Sequence, residues 1–165
     1  MLVPFEHIDV INDIQNVITC IFKYQVNIAP QQTLVAAKRR GHQFLADDLL
    51  PVIANQVQQI GGSGGLGITS VDLYIPELNF VFGLASRAFQ VAVISLARLE
   101  SPERERYVQR SIKEAVHELG HALLNLNHCQ NSSCVMAFSN CLADTVFKNA
   151  EFCARCAARI SEKNV

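Results

Sequence analysis

The chain has 165 residues, half of them hydrophobic, and a net charge of −1, which is one domain's length and enough to bury a substantial core. No apolar run reaches the ~18–20 residues that span a bilayer, and the N-terminus lacks a basic stretch followed by an apolar core, so neither a membrane nor secretion is expected. No basic face is evident, which argues against nucleic acid as a partner, and six cysteines without a leader point to a reducing, cytoplasmic setting with thiolates free to bind metal.

Leu2 to Phe5 reads as a short strand. Asp9 can cap a helix running to about Tyr24, with Val10, Ile14, Val17, Ile18 and Ile21 as its apolar stripe. Gln25 to Ala29 reads as a second strand. Asp47 or Asp48 caps a further helix to about Ile60, with Pro51 in its first turn, where proline is tolerated. Gly62, Gly64 and Gly67 match GxGxxG, but the segment follows a helix and precedes a strand, the reverse of a dinucleotide loop, and no GK[ST] is present. It therefore reads as a flexible connector.

Ile68 to Ile75 alternates as a strand ended by Pro76, and Asn79 to Gly83 and Phe89 to Leu96 are two more strand-like runs. Ser101-Pro102-Glu103 supplies a cap, a first-turn proline and an acid, and so starts a helix. That helix carries Ile112, Val116, Leu119 and Leu123 inward and ends near Asn125 and Asn127. The expected architecture is an α/β (α+β) single domain over residues 1–165. It comprises a mixed, twisted sheet with helices over residues 1–126 and a cysteine-rich, zinc-bound C-terminal part over residues 127–165.

The long helix carries His117-Glu118-Leu119-Gly120-His121, and His128 follows seven residues later. Histidines four apart sit one turn apart on one helical face, where two imidazoles can bind one Zn²⁺ with Glu118 beside them as general base. His128 can close a three-histidine site with an open fourth position, the arrangement of a catalytic zinc. Cys129, Cys134, Cys153 and Cys156 then form two pairs whose spacing suits a tetrahedral Cys₄ zinc site. Disulfides compete with this reading, since the cysteine count is even, although a CxxC pair is short for a strain-free bridge. Cys20 and Cys141 are surplus and are expected to be small buried hydrophobes, with Cys141 an alternative fourth ligand. His7 and His42 read as surface or satisfied histidines.

These residues resemble the archaemetzincins, whose pattern HExxHxxGxxxHC, C-x-M and CxxC is met by His117-Glu118, His121, His128-Cys129, Cys134-x-Met136 and Cys153-x-x-Cys156. The resemblance implies a metzincin-like metalloprotease fold, one catalytic and one structural zinc, and Met136 as the apolar Met-turn below the catalytic metal. By the same analogy an antiparallel edge strand, for which Asn79 to Gly83 is the candidate, pairs with extended substrate. Leu124 stands where the family has a glycine that leaves the helix with positive φ. The expectation is that the helix ends slightly later and that Asn125 or Asn127 makes the turn. Phe138 stands where some metzincins place a tyrosine, so it offers no hydroxyl to an oxyanion.

The function expected is zinc-dependent hydrolysis of peptide bonds in a peptide or protein substrate. Zinc acidifies the attacking water, and Glu118 takes its proton and returns it to the leaving amine. The rival is a zinc-stabilised binding or scaffold module of the same fold; a thiol redox protein using Cys153 and Cys156 is the weaker alternative.

Overall fold

The computed structural model describes residues 5–31, 33 and 37–163. Helix α1 (Phe5–Phe22) turns the stripe Val10, Ile14, Ile18 and Phe22 into the core, at the i, i+4 spacing of one helical face. It begins four residues before Asp9, which is thus no cap. The strand expected at Leu2 to Phe5 lies outside the described residues except for Phe5, which opens α1. Gln25 to Ala29 is not a strand: Gln15 of α1 donates to the Val26 carbonyl at 2.7 Å, so a side chain takes the place of a ladder partner there.

Strands β1 (Arg39–Arg40) and β2 (Gln43–Leu45) form a small hairpin, and a 3-10 turn leads into α2 (Leu49–Gln59). Asp48 occupies the cap position of α2, with Pro51 in the first turn as expected. Its carboxylate accepts from the Lys38 N–H at 2.8 Å and not from the helix it precedes.

The glycine segment is no flexible connector. Gly65–Thr69 is strand β3, half-buried throughout, and α2 lies directly upon it. A Cβ at Gly65 would collide with Val57 and one at Gly67 with Ile53, so these glycines exist to let helix and strand approach closely. The run expected as one strand to Ile75 breaks at Ser70 to Asp72, giving β3 and β4 (Leu73–Ile75). Then follow β5 (Leu78–Val81), β6 (Gly83–Ser86) and β7 (Val91–Ser95).

The strands are mixed in direction, as expected, but divide into two ladders. One has the order β1-β2-β4-β5, with β2 and β4 parallel; the other has the order β3-β7-β6, with β3 parallel and β6 antiparallel to β7. Every residue of β7 is buried, because it is covered on both faces. Val91 and Val93 point to the α2 side, and Ala92 and Ile94 point to the side of α1 and α3.

Helix α3 (Arg104–Leu124) crosses beneath β6 and β7 and packs against α1. Its cap position is Glu103; Ser101 lies further back, where its hydroxyl accepts the Glu103 N–H at 3.3 Å. Asn125 follows in the left-handed conformation (φ 54°, ψ 29°), and its N–H donates to the Gly120 carbonyl. The turn that Leu124 made doubtful is thus made one residue later by asparagine, which tolerates this region because its short polar side chain can bond locally. Two helices absent from the sequence reading, α4 (Leu142–Phe147) and α5 (Ala154–Lys163), complete the chain. The main core runs without a break from α1 and α3 to Cys129, Cys134, Val135, Met136 and Cys156.

Candidate metal centres and active site

Helix α3 sets His117 and His121 one turn apart, and the Asn125 turn brings His128 back over them. Their ring centroids lie 4.6 to 5.4 Å apart, and one ligand atom from each falls within 4.8 Å of the others. His117 Nδ1 meets the Val135 carbonyl at 2.8 Å, and His121 Nδ1 meets the Leu126 carbonyl at 2.6 Å. A carbonyl only accepts, so both Nδ1 atoms carry the proton and both Nε2 atoms are bare acceptors. Those two Nε2 atoms face each other at 3.1 Å, lone pair to lone pair. Two acceptors so placed call for a cation between them, and tetrahedral Zn–N bonds would set them about 3.3 Å apart. Zinc therefore fits this donor set.

Electrostatics agree with a metal site. Burial, with the Lys148 ammonium adding to it, holds His117 far below its ordinary range. Burial also lowers His121 and His128, so all three rings are neutral, as ligands must be. The rings go from buried at His117 to exposed at His128, which leaves the open side facing solvent.

Glu118 is 7% exposed, and burial with the neighbouring Glu114 carboxylate pushes its carboxyl up to about 8, against the opposing pull of Lys148. The backbone of β6 walls it in: a Cβ at Gly83 would stand 2.6 Å from Glu118 Cγ. The residue beside the carboxylate is thus Gly83, where the 79–83 run, divided between β5 and β6, passes into β6, the antiparallel edge of its ladder. Met136 is fully buried, and a Cβ at Gly120, between His117 and His121 on α3, would stand 2.5 Å from its sulfur. Phe138, half exposed, sets its ring 4.8 Å from that of His128.

Cys129, Cys134, Cys153 and Cys156 converge with their sulfurs within 4.8 Å of one another, and all six cysteines are free thiols. Cys129 and Cys153 Sγ are 3.8 Å apart, the separation that about 2.3 Å tetrahedral Zn–S bonds require. Burial raises Cys129, but the Asn131 N–H and the Arg155 guanidinium, whose Nη2 is 3.4 Å from the sulfur, outweigh it and bring the thiol down to about 7. Burial raises Cys134 and Cys156. A second zinc, which ionises its thiols outright, suits this set.

Cys141 stands apart from the four at the start of α4, and it and Cys20 are exposed; the buried-hydrophobe reading of both is corrected. His42 is exposed, as expected, while the side chain of His7 falls outside the description.

Four residues at the site escaped the sequence reading. Glu114 is one turn before Glu118 on the same face of α3, and its Oε1 lies 3.0 Å from Lys148 Nζ, both side chains being buried. A carboxylate in register with the ligand face was a readable signal; Lys148, Gly83 and Arg87 offered none, since each reaches the site only through the fold.

The family model for peptidase family M54 matches residues 15–162. Over 130 residues the chain is 42% identical to the archaemetzincin of Pyrococcus horikoshii, a match covering 75% of this chain and 68% of that one. Among solved structures it is similar to the archaemetzincin of Methanopyrus kandleri, with TM-score 0.82, 32% identity, and 99% and 90% of the two chains covered. It is likewise similar to that of Archaeoglobus fulgidus crystallised with malonate, with TM-score 0.80, 33% identity and 92% of each chain covered.

Proposed function

Because this chain belongs to peptidase family M54 and is a zinc metallopeptidase, we propose that His117, His121 and His128 hold its catalytic zinc and that Glu118 is its general base. The observation that carries this reading is the pair of deprotonated Nε2 atoms facing each other beside a buried carboxyl. Zinc bound there supplies Lewis acidity, polarising the scissile carbonyl and acidifying the attacking water. Glu118 accepts that water's proton and returns it to the leaving amine.

The remaining residues position these groups. Val135 and Leu126 fix the ligand rings through their carbonyls, and Met136 forms the apolar floor. The free edge of β6 lies beside Glu118 and offers its backbone to an extended peptide. Cys129, Cys134, Cys153 and Cys156 hold a second, structural zinc, which makes two per chain. Free thiols gathered at one point support a reducing, cytoplasmic setting.

One observation favours the rival reading, a zinc-bound scaffold of weak activity: Phe138 beside His128 brings no donor to an oxyanion. Wild type and Glu118→Ala, both assayed on a peptide mixture with zinc measured in parallel, separate the two. The peptidase reading expects two zincs in each protein and cleavage by wild type alone. Equal or absent cleavage in both overturns it in favour of the scaffold.

A further inference from the structure

Arg87 is the residue immediately after the edge strand β6, and it reaches across to the turn that follows α3. Its Nη2 donates to the Leu126 carbonyl at 2.9 Å and to Asn127 Oδ1 at 2.6 Å. The same Leu126 carbonyl accepts from His121 Nδ1, and Asn127 immediately precedes His128. One guanidinium therefore holds both the group that orients the second histidine and the residue that delivers the third.

The turn it grips is held by few backbone bonds of its own. It leaves the helix through Asn125 at positive φ, where a residue with a Cβ is strained, and its local restraints are the Asn125 and Leu126 N–H groups shared on one carbonyl, that of Gly120. Arg87 adds two bonds from an element about 40 positions away in sequence, one from each N–H of its Nη2. The other end of β6 meets the same helix where Gly83 closes on Glu118. Strand β6 thus meets the helix at one end and, through Arg87, the turn that follows the helix at the other.

We propose that Arg87 is a positioning residue for the histidine metal site: it clamps the 125–128 turn so that His121 and His128 present their ligand nitrogens together. This inference rests on the reading of the three histidines as zinc ligands. Removing an outer partner of a metal ligand weakens metal binding by roughly 10–100-fold, and the four-cysteine site, which Arg87 does not touch, serves as an internal control.

The test is zinc affinity by chelator competition on the whole protein, for wild type, Arg87→Ala, Arg87→Lys and Asn127→Ala. The expected result is that Arg87→Ala weakens the histidine-bound zinc by roughly 10–100-fold and the cysteine-bound zinc far less. Arg87→Lys, whose ammonium keeps the charge and donors but has a shorter reach and no fixed plane, recovers part of the loss, and Asn127→Ala, which keeps the Leu126 bond, loses less than Arg87→Ala. Two zincs held as tightly in Arg87→Ala as in wild type overturn the clamp alone, as does equal weakening of both zincs. Wild type that binds zinc only through its cysteines overturns the clamp together with the histidine site.

Discussion

Gly83 lies against Glu118: a Cβ on this glycine would stand 2.6 Å from Glu118 Cγ, 2.9 Å from its Oε1 and 2.8 Å from the Val93 carbonyl. Backbone and carboxylate alike are in the way, so Gly83→Ala must displace the proposed base or the edge strand. Misplacement of a reacting group by about 1 Å costs on the order of 100-fold in rate. We expect kcat/KM to fall by about that factor while zinc content stays at the parent value. Steady-state kinetics with elemental analysis checks it, and undiminished kcat/KM would show that the strand yields instead.

Lys148 and Glu114 form a buried pair, with side chains 1% and 3% exposed and Nζ to Oε1 at 3.0 Å. Removing one member leaves a lone charge in the core, which costs about 3–5 kcal/mol, whereas replacing both by apolar groups of similar size is often neutral. Lys148→Met is therefore expected to lose stability on that scale, and Lys148→Met with Glu114→Leu to regain most of it. Urea midpoints of the two single variants and the double variant decide; additive losses in the double variant would contradict the pairing.

His128 and Cys129 are consecutive, and the Cys129 N–H is anchored on the Met136 carbonyl at 2.8 Å. A loosened cysteine site thus frees the backbone that delivers the third histidine. Cys153→Ala is expected to lower zinc occupancy at both sites, read by metal analysis under reducing conditions. A full histidine-bound zinc in that variant would break the linkage.

Asp72 accepts from Arg98 at 2.8 and 2.7 Å and from Gln43 at 3.1 Å. These bonds, Arg98 foremost, outweigh burial and hold its carboxyl below its ordinary value of 3.8. A folded pKa below the unfolded one means that this contribution to stability is complete above about pH 5 and is lost as pH falls through the folded value. Thermal melts from pH 7 down to about pH 2 should show wild type losing more stability than Asp72→Asn. Parallel curves would exclude Asp72 as an acid-labile tie.

Much of the site was legible because its chemistry is carried by local spacing. Four-residue periodicity puts His117 and His121 on one face whatever surrounds the helix, and Asn125 is the residue type that makes a left-handed turn in place of glycine. Strand limits and caps were read less well. The glycines at 65 and 67 resemble a flexible linker in sequence, yet they are strand positions, because only contact with Ile53 and Val57 of α2 reveals why a side chain is missing. Gln25 to Ala29 looks extended and apolar, but a strand exists only where a ladder partner does.

By itself the sequence determined the two groups of candidate ligands, the helix that carries the first, and the asparagine that ends it, since each depends on residues within a turn or a short loop. Only the tertiary structure decided that Gly83 walls in Glu118, that Lys148 answers Glu114, that Arg87 grips the turn before His128, and that β6 is the free edge beside the carboxylate. Each of these joins segments some 30 to 40 positions apart, and which distant segments meet is set by how helices and strands bury their apolar faces together, a property that no local pattern encodes.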